Sequence, residues 1–314
     1  MSIKNRLRIF LFNVFGSKNM DFLRYLKFKQ NFGRYVNYNK ETFSKKFPYS
    51  YEREMQVIPK ILKNPETIID IGANYGTYSF FLSKLYPQAK IIAFEPSTSS
   101  YRILMKIKRA FGLSNVFPIK KGLGEKEEEK EIVMPMHYTI IAYVAEKGSK
   151  KGKGDNSESI QITTLDSFVK RNKITNIDFI KCDVEGFELF VFKGARKTLR
   201  KHKPLVFVEI EERHTKKYKI NPQEVLKFLK KIGYRAYSIK GDGIEKAEKI
   251  VPEVPLYLFS PKKLVSNSHF YVSLWFESAS IHIPEKYINL LKNDRIKPKY
   301  NPLISFIFIA TFIP

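Results

Sequence analysis

The sequence predicts an α/β fold built on a doubly wound, mostly parallel sheet of seven strands. Short apolar, β-branched runs alternate along the chain with segments of helical periodicity, which is the pattern of a parallel sheet covered by helices. A glycine-containing turn, Gly72 to Gly76, joins the first of these strands to the first helix. Acidic residues stand at the ends of four strands, at the edge where open α/β sheets bind their ligands. We therefore expect a Rossmann-like domain with a site at that edge.

The segment Thr67–Phe81 (TIIDIGANYGTYSFF) is the centre of this prediction. Its β-branched start predicts a buried strand, and apolar residues recur at helical spacing from Thr77 to Tyr86. The turn between them contributes Asp70, Gly72, Asn74 and Gly76. Their spacing, D-x-G-x-x-x-G, differs from the G-x-G-x-x-G of pyrophosphate-binding turns. A leading carboxylate favours a ligand with a positive centre, such as a sulfonium that carries an ammonium group. The alternative is a plain strand–helix turn with a capping aspartate.

The second predicted strand, Lys90–Glu95, ends in an acid that Pro96 follows. An acid at this position is placed to accept hydrogen bonds from the ribose hydroxyls of a nucleoside. A third strand is predicted over Asn115–Lys120, and the turn after it makes Gly122 and Leu123 candidate contacts of the base. The later elements follow the same alternation. They are strands over Asn176–Asp183, Pro204–Glu211, Tyr234–Ile239 and Val254–Phe259, the last antiparallel near the sheet edge, and helices over Phe187–Leu199 and Pro222–Ile232.

Five motifs in this order resemble the FkbM family. They are DIGANYG, FEP at Phe94–Pro96, TTLDSF at Thr163–Phe168, FIKCDVEGFELFVFKGA at Phe179–Ala195 and PLVFVEIEE at Pro204–Glu212. The resemblance covers most of the chain and implies a class I methyltransferase fold that uses S-adenosylmethionine (SAM). It also implies transfer to a hydroxyl of a sugar, a glycolipid or a secondary metabolite. Under this reading Asp70 is directed through the turn towards the methionine amino group and Glu95 towards the ribose. No metal site is predicted.

The candidate catalytic residues cluster at the ends of the fourth and fifth strands. They are Asp183, Glu185, Lys181, Glu209 and His214. Strand alternation places Lys181 and Asp183 on one face, and a lysine in an apolar strand needs a partner, either Asp183 or Glu209. A structural ion pair and a catalytic role for Asp183 both stay open. His214 is a candidate general base because the ordinary histidine pKa is about 6.5; an exposed loop histidine is the alternative.

Composition leaves three classes of function. The formal charge of +25 indicates either an anionic partner or a compositional bias of the genome. An N-P-P-Y segment, typical of amino-group methylation, is absent from the sequence, which favours an oxygen acceptor. The resemblance implies that this oxygen belongs to a carbohydrate, glycan or glycolipid. The alternatives are an RNA methyltransferase and a non-catalytic SAM-fold scaffold at a membrane surface. A chain without an RNA-binding module speaks against the former, and intact glycines and acids speak against the latter.

The predicted organisation is a basic, largely helical extension over 1–66, a SAM-binding domain over 67–261 and a C-terminal extension over 262–314. Residues 1–36 read as basic amphipathic helices that pack on the domain, pair two subunits in a homodimer or lie on a membrane surface. Their apolar run is too short to span a bilayer. The charged run 125–130 and residues 136–158 are expected to form solvated, flexible loops. One cysteine, Cys182, fits a reducing compartment and a cytoplasmic location.

Overall fold

The computed structural model describes residues 24–31, 33, 53–135, 142–145, 155–240 and 243–264. All of these except Leu264 belong to one compact unit. The expectations for residues 1–23, 34–52, 136–141 and 146–154 and for the C-terminal extension beyond 264 lie outside the described residues and stay predictions.

Eight strands form the main sheet. They are β1 (Thr67–Ile71), β2 (Lys90–Phe94), β3 (Val116–Ile119), β8 (Phe179–Cys182), β9 (Leu205–Glu209), β10 (Arg235–Lys240), β11 (Gly243–Lys246) and β12 (Leu256–Ser260). Their order in space is β11-β10-β12-β9-β8-β1-β2-β3. The five neighbouring strands β9, β8, β1, β2 and β3 pair in parallel. The chain proceeds outwards in both directions from β1 and β8, so the strand order reverses between these two. The doubly wound, mostly parallel sheet is confirmed.

The far side of the sheet differs in detail from the prediction. The seventh predicted strand is β12, and it is antiparallel as expected, but it lies between β9 and β10 rather than at the edge. An eighth strand, β11, forms the edge as the second arm of a hairpin with β10. Ile244 of β11 is buried, so this short strand adds its own side chain to the core.

Nine α-helices of four residues or more lie in the described part of the chain. They are α1 (24–31), α2 (Ile58–Ile61), α3 (Thr77–Leu85), α4 (Thr98–Ala110), α5 (Leu165–Arg171), α6 (Glu188–Lys193), α7 (Arg196–His202), α8 (Glu212–Thr215) and α9 (Pro222–Lys231). Two helices form in place of the single helix predicted over Phe187–Leu199, because the helix is interrupted at Gly194. A Cβ on Gly194 would lie 1.9 Å from the carbonyl oxygen of Gly124, so the break brings two backbones into contact. None of the helices in the described ranges is long and apolar enough to cross a membrane.

Helix α1 is the described part of the basic N-terminal segment, and it packs on the domain. Phe28 is buried, and its ring meets those of Phe80 and Phe111 edge-on, each at 6.1 Å between centroids. Arg24 Nη1 donates a hydrogen bond to Ser99 Oγ at 3.1 Å. Of the alternatives for the N-terminal segment, residues 24–31 therefore show packing on their own domain.

A second sheet of four strands packs on the main core through Leu123 and Val144. It comprises β4 (Gly122–Leu123), β5 (Glu128–Met134), β6 (Tyr143–Ala145) and β7 (Asn156–Thr163) in the order β4-β7-β5-β6. The prediction of solvated loops over 125–130 and 136–158 was therefore wrong where these strands form. Ile132 of β5 packs with Ile160 and Ile162 of β7 in a small apolar core, and this burial holds the charged first half of β5 in a strand.

Candidate active site

A cleft of about 680 Å³, including space open to solvent, lies at the carboxyl ends of β1, β2 and β8. This is the position where the strand order reverses, as the general rule for open α/β sheets requires. Eight of the predicted site residues line it: Gly72, Asn74, Glu95, Pro96, Gly122, Leu123, Asp183 and Glu185. The second sheet adds an apolar wall that the sequence did not predict, formed by Ile132, Val144, Ile160 and Ile162.

The turn after β1 brings bare backbone to the floor of the cleft. Gly72 has a φ of +73°, and a Cβ there would lie 1.9 Å from the carbonyl oxygen of Asp183. The amides of Gly72 and Ala73 both donate to the carbonyl of Phe94 at 3.0 Å, which ties the turn to the end of β2. Gly72 must therefore be glycine for both conformation and space.

Gly76 has a different role from the one predicted. It does not line the cleft; it precedes α3 with a φ of +90°, and a Cβ there would meet Leu104 Cδ1 at 2.4 Å. Its small size lets α3 approach α4, so its contribution to the site is indirect.

Glu95 forms part of the cleft wall with its carboxylate already oriented. Its Oε2 accepts the N–H of Asn74 and its Oε1 accepts the N–H of Ser97, each at 2.8 Å. The residue is 6% exposed, and burial raises its pKa to about 7 against these two hydrogen bonds. Each oxygen keeps a further lone pair, so the ionised group can accept two hydroxyls from a ligand.

Asp70 does not reach the cleft. It is 0% exposed; its Oδ2 accepts Ser79 Oγ–H at 2.6 Å, and its Oδ1 lies 3.7 Å from Lys181 Nζ. Burial raises its pKa, while Lys181 and Ser79 oppose the rise. The parallel register of β1 and β8 sets Asp70 opposite Lys181. Its expected direction towards a ligand is thus corrected to an indirect one, through the lysine.

Lys181 connects three parts of the site. Its Nζ donates to the carbonyl of Gly72 at 3.0 Å and lies 3.4 Å from Asp183 Oδ2. The ring of Tyr78 lies beneath the ammonium, with its centroid 5.0 Å away. Asp183 is the predicted partner of Lys181, whereas Asp70 is a partner that sequence reasoning missed. The lysine is buried and does not line the cleft, so it holds the turn and Asp183 rather than contacting a ligand.

Glu185 and His214 form a close pair beside Asp183. Glu185 Oε2 lies 3.0 Å from His214 Nδ1, and Glu185 has a left-handed φ of +57°. Burial raises the pKa of Glu185 to about 8, and burial lowers the pKa of His214. At neutral pH the pair is therefore a protonated carboxyl with a neutral imidazole. Of the two, only Glu185 lines the cleft.

Two backbone contacts hold this pair in place. Gly186 has a φ of +101°, and a Cβ there would lie 2.5 Å from the backbone carbonyl of His214. Glu188, which sequence reasoning missed, is buried, and its Oε1 accepts the N–H groups of Val184 and Gly186 at 3.1 Å each. An acid in the first turn of α6 was the available signal. Burial raises the pKa of Glu188 to about 7.

Glu209 ends β9 and lies outside the cleft lining. Burial raises its pKa to about 10, and the negative charge of Asp183 adds to the rise. Within the described ranges, no group of three or more histidine, cysteine, aspartate and glutamate residues is arranged to hold a metal ion.

The strand order, the cleft at the reversal point and the carboxylate at the end of β2 define a doubly wound domain of the nucleoside-binding class. Residues 70–236 match the model of the methyltransferase FkbM domain, and the chain belongs to this family. The resemblance inferred from the motifs is confirmed.

Several known proteins are similar to the chain over part of its length. Methyltransferase sdnD of Sordaria araneosa is 29% identical over 163 residues, which cover 44% of this chain and 62% of that protein. Hexuronic acid methyltransferase AglP of Haloferax volcanii is 28% identical over 180 residues, covering 56% and 67%. The crystal structure of methyltransferase FkbM from Methylobacillus flagellatus KT superposes with a TM-score of 0.43 at 19% identity, over 70% of this chain and 50% of that one. The chain thus spans less than two thirds of the Sordaria protein and half of the solved structure.

Proposed function

We propose that the protein is a SAM-dependent O-methyltransferase that acts on a hydroxyl of a carbohydrate, glycan or glycolipid. The observation that carries this proposal is Glu95, a buried carboxylate that two backbone amides orient at the wall of a cleft at the strand-order reversal. Such a group binds the vicinal hydroxyls of a ribose.

The residues of the cleft fit the cofactor. Gly72 lets the turn pack directly against the backbone of Asp183, which places both Gly72 and Asp183 in the cleft lining. Leu123, Ile160 and Ile162 offer apolar surface to a base. When bound, SAM supplies a methyl group on a positively charged sulfur. Asp183 and the ionised form of Glu95, both at the wall of the cleft, favour a ligand of that charge.

The residues at the end of β8 supply what a hydroxyl acceptor needs. Asp183 lines the cleft with a side chain 33% exposed, and Lys181 on its other side fixes its orientation at 3.4 Å. We assign Asp183 the removal of the acceptor proton, for which general-base assistance contributes ~10²–10⁴-fold. The Glu185–His214 pair lies next to it, and Glu185 is placed to accept a hydrogen bond from, or donate one to, a second hydroxyl of the acceptor.

A carbohydrate acceptor is supported by two observations. The sequence has no N-P-P-Y segment, so an amino-group acceptor on a nucleobase or glutamine is disfavoured. One relative is named a hexuronic acid methyltransferase.

The test has two stages. Calorimetric titration of the full-length protein with SAM should give a saturable, one-site isotherm. Methyl transfer from labelled SAM should then be measured with neutral glycans, uronic-acid glycans and total RNA, with Asp183→Asn as the matched inactive control. Label in a glycan that depends on Asp183 supports the proposal. Label in RNA alone, or an absence of SAM binding, refutes it.

A further inference from the structure

The ends of β8 and β9 bring two carboxyl groups together. These strands are parallel, with Lys181 opposite Phe207 and Cys182 opposite Val208. Asp183 follows Cys182 directly, Glu209 follows Val208, and the side chains of Asp183 and Glu209 interact. Side chains of opposite residues on neighbouring strands point to the same face of the sheet. Two carboxylates in contact repel each other, so such a pair favours one shared proton.

The surroundings decide which group holds that proton. Asp183 lies beside a cation, with its Oδ2 3.4 Å from the ammonium nitrogen of Lys181. Glu209 is half-buried and faces the carboxyl groups of Asp183 and Glu211. Burial first, and then Asp183 and Glu211, raise the pKa of Glu209 to about 10. Arg213 interacts electrostatically with Glu209, but its guanidinium is hydrogen-bonded to Glu211.

A continuous series of carboxyl groups leads from the cleft to the surface. Burial alone would raise the pKa of Glu211, but hydrogen bonds with Arg213 and Glu209 hold it below its ordinary value, so Glu211 is an ionised acceptor. Arg213 Nη2 donates to Glu211 Oε1 at 2.9 Å. The side chain of Arg213 is 72% exposed and that of Glu211 is 19% exposed, so the series ends in solvent. The order from the cleft outwards is Asp183, Glu209, Glu211.

We propose that Glu209 is a proton-relay residue that carries the acceptor proton from Asp183 to Glu211 and so to solvent. This inference rests on the proposed function. The O–H bond of the acceptor breaks, its electron pair stays on the acceptor oxygen for the new O–C bond, and the proton goes to Asp183. Glu209 releases its own proton to Glu211, which passes it to water, and the proton on Asp183 then moves to Glu209. One proton leaves for each turnover, and both Asp183 and Glu209 return to their starting states.

Glu209 acts through Asp183 and does not line the cleft, so it is a positioning residue rather than a catalytic one. A purely structural Glu209 would hold the ends of β8 and β9 by its hydrogen bond to Asp183. Glutamine can make that bond but cannot release a proton, so Glu209→Gln separates the two roles. Glu212→Gln on α8 is the matched control, because Glu212 is exposed and pairs with Lys216 at 3.1 Å outside the series.

The first measurement needs no acceptor. Infrared spectra of the wild-type protein with ¹³C-labelled glutamate should contain the band of a protonated carboxyl at about pH 9, which is below the Glu209 pKa of about 10 and above the Glu185 pKa of about 8. That band should persist in Glu212→Gln and lose most of its intensity in Glu209→Gln, since Glu185, with a pKa of about 8, keeps only a small protonated fraction at this pH. If the band is unchanged in a folded Glu209→Gln protein, or absent from the wild type, Glu209 does not hold the proton and the proposal is overturned.

The second measurement uses labelled methyl transfer to the acceptor found for the wild type. Glu209→Gln should lower kcat by about 10- to 100-fold, with KM for the acceptor and SAM affinity within about threefold. The wild-type rate should fall at alkaline pH, where Glu209 loses its proton, and this limb should be missing from the variant. A wild-type kcat in Glu209→Gln, or a parallel loss of SAM binding, overturns the relay. Absence of SAM binding by the wild type would instead be failure of the proposed function, which the infrared result does not share.

Discussion

Removal of the Glu95 carboxylate by Glu95→Ala tests the cofactor site at its central contact. In the proposed complex the carboxylate accepts ribose hydroxyls, and hydrogen bonds to a charged group contribute about 1.5–3 kcal/mol. The dissociation constant for SAM, measured by calorimetric titration, should therefore rise by about 10- to 150-fold. An unchanged affinity in a folded Glu95→Ala protein would refute the assignment.

The same substitution also has a calculable cost to the fold. Ser97 is 1% exposed, and its N–H loses its acceptor when Glu95 is truncated. A buried donor without a partner costs about 1–3 kcal/mol. The melting temperature should fall accordingly, so affinity must be measured below the new transition. Glu158→Ala is the matched control: its Oε1 accepts the N–H of Thr98 at 2.8 Å, but it does not line the cleft. It should leave SAM affinity unchanged.

The pH dependence gives a second, independent readout of Glu95. Its pKa in the fold is raised to about 7 by burial, and the ionised form is the one that accepts ribose hydroxyls. Between about pH 6 and about pH 8 the ionised fraction rises from about one tenth to about nine tenths, so SAM should bind up to about tenfold more tightly. Because the folded pKa lies above the ordinary value of 4.5, the ligand-free protein should lose stability as pH rises from 4.5 to about 7. A flat affinity profile in the wild type would contradict the role.

Three further predictions concern the turn, the base and the N-terminal helix. Gly72→Ala should abolish SAM binding or prevent folding, since its Cβ would lie 1.9 Å from a backbone oxygen. Circular dichroism shows whether the variant folds, and titration shows whether it binds SAM. A normal SAM affinity would contradict the requirement for glycine at this position. Asp183→Asn should lower the methylation rate by ~10² or more with SAM affinity within a few-fold. Its stability loss should stay below the ~3–5 kcal/mol of a broken buried pair, because Lys181 keeps a second carboxylate at 3.7 Å. Phe28→Ala should destabilise the domain by about 3–5 kcal/mol in denaturant unfolding while SAM affinity holds, and Leu26→Ala, 41% exposed, should not.

Local sequence determined the main sheet and most of the cofactor side of the cleft. Thr67–Ile71 and Lys90–Phe94 form strands because β-branched and apolar runs satisfy a buried parallel sheet. Glu95 follows directly after β2, so its position at the carboxyl end of that strand places it at the edge of the sheet where the cleft lies. These assignments depend on neighbours within a few residues, so pattern and spacing were sufficient.

Chain segments far apart in sequence decided the rest. The charged run that begins at Glu128 forms a strand because β5 pairs with β7 and Ile132 packs against Ile160. A local sequence pattern cannot predict this long-range contact. Asp70 has a residue type that suits a ligand contact. The register of β1 and β8 sets it opposite Lys181, however, and its carboxylate forms an ion pair with that lysine instead.

The sequence by itself therefore determined the class of fold, the family and the set of acids at the ends of the strands. Only the tertiary structure decided which of those acids are engaged by buried partners and which line the cleft. The physical reason is that hydrogen bonding and desolvation act between neighbours in space. Glu209 and Asp183, 26 residues apart in the chain, meet only because two parallel strands end side by side.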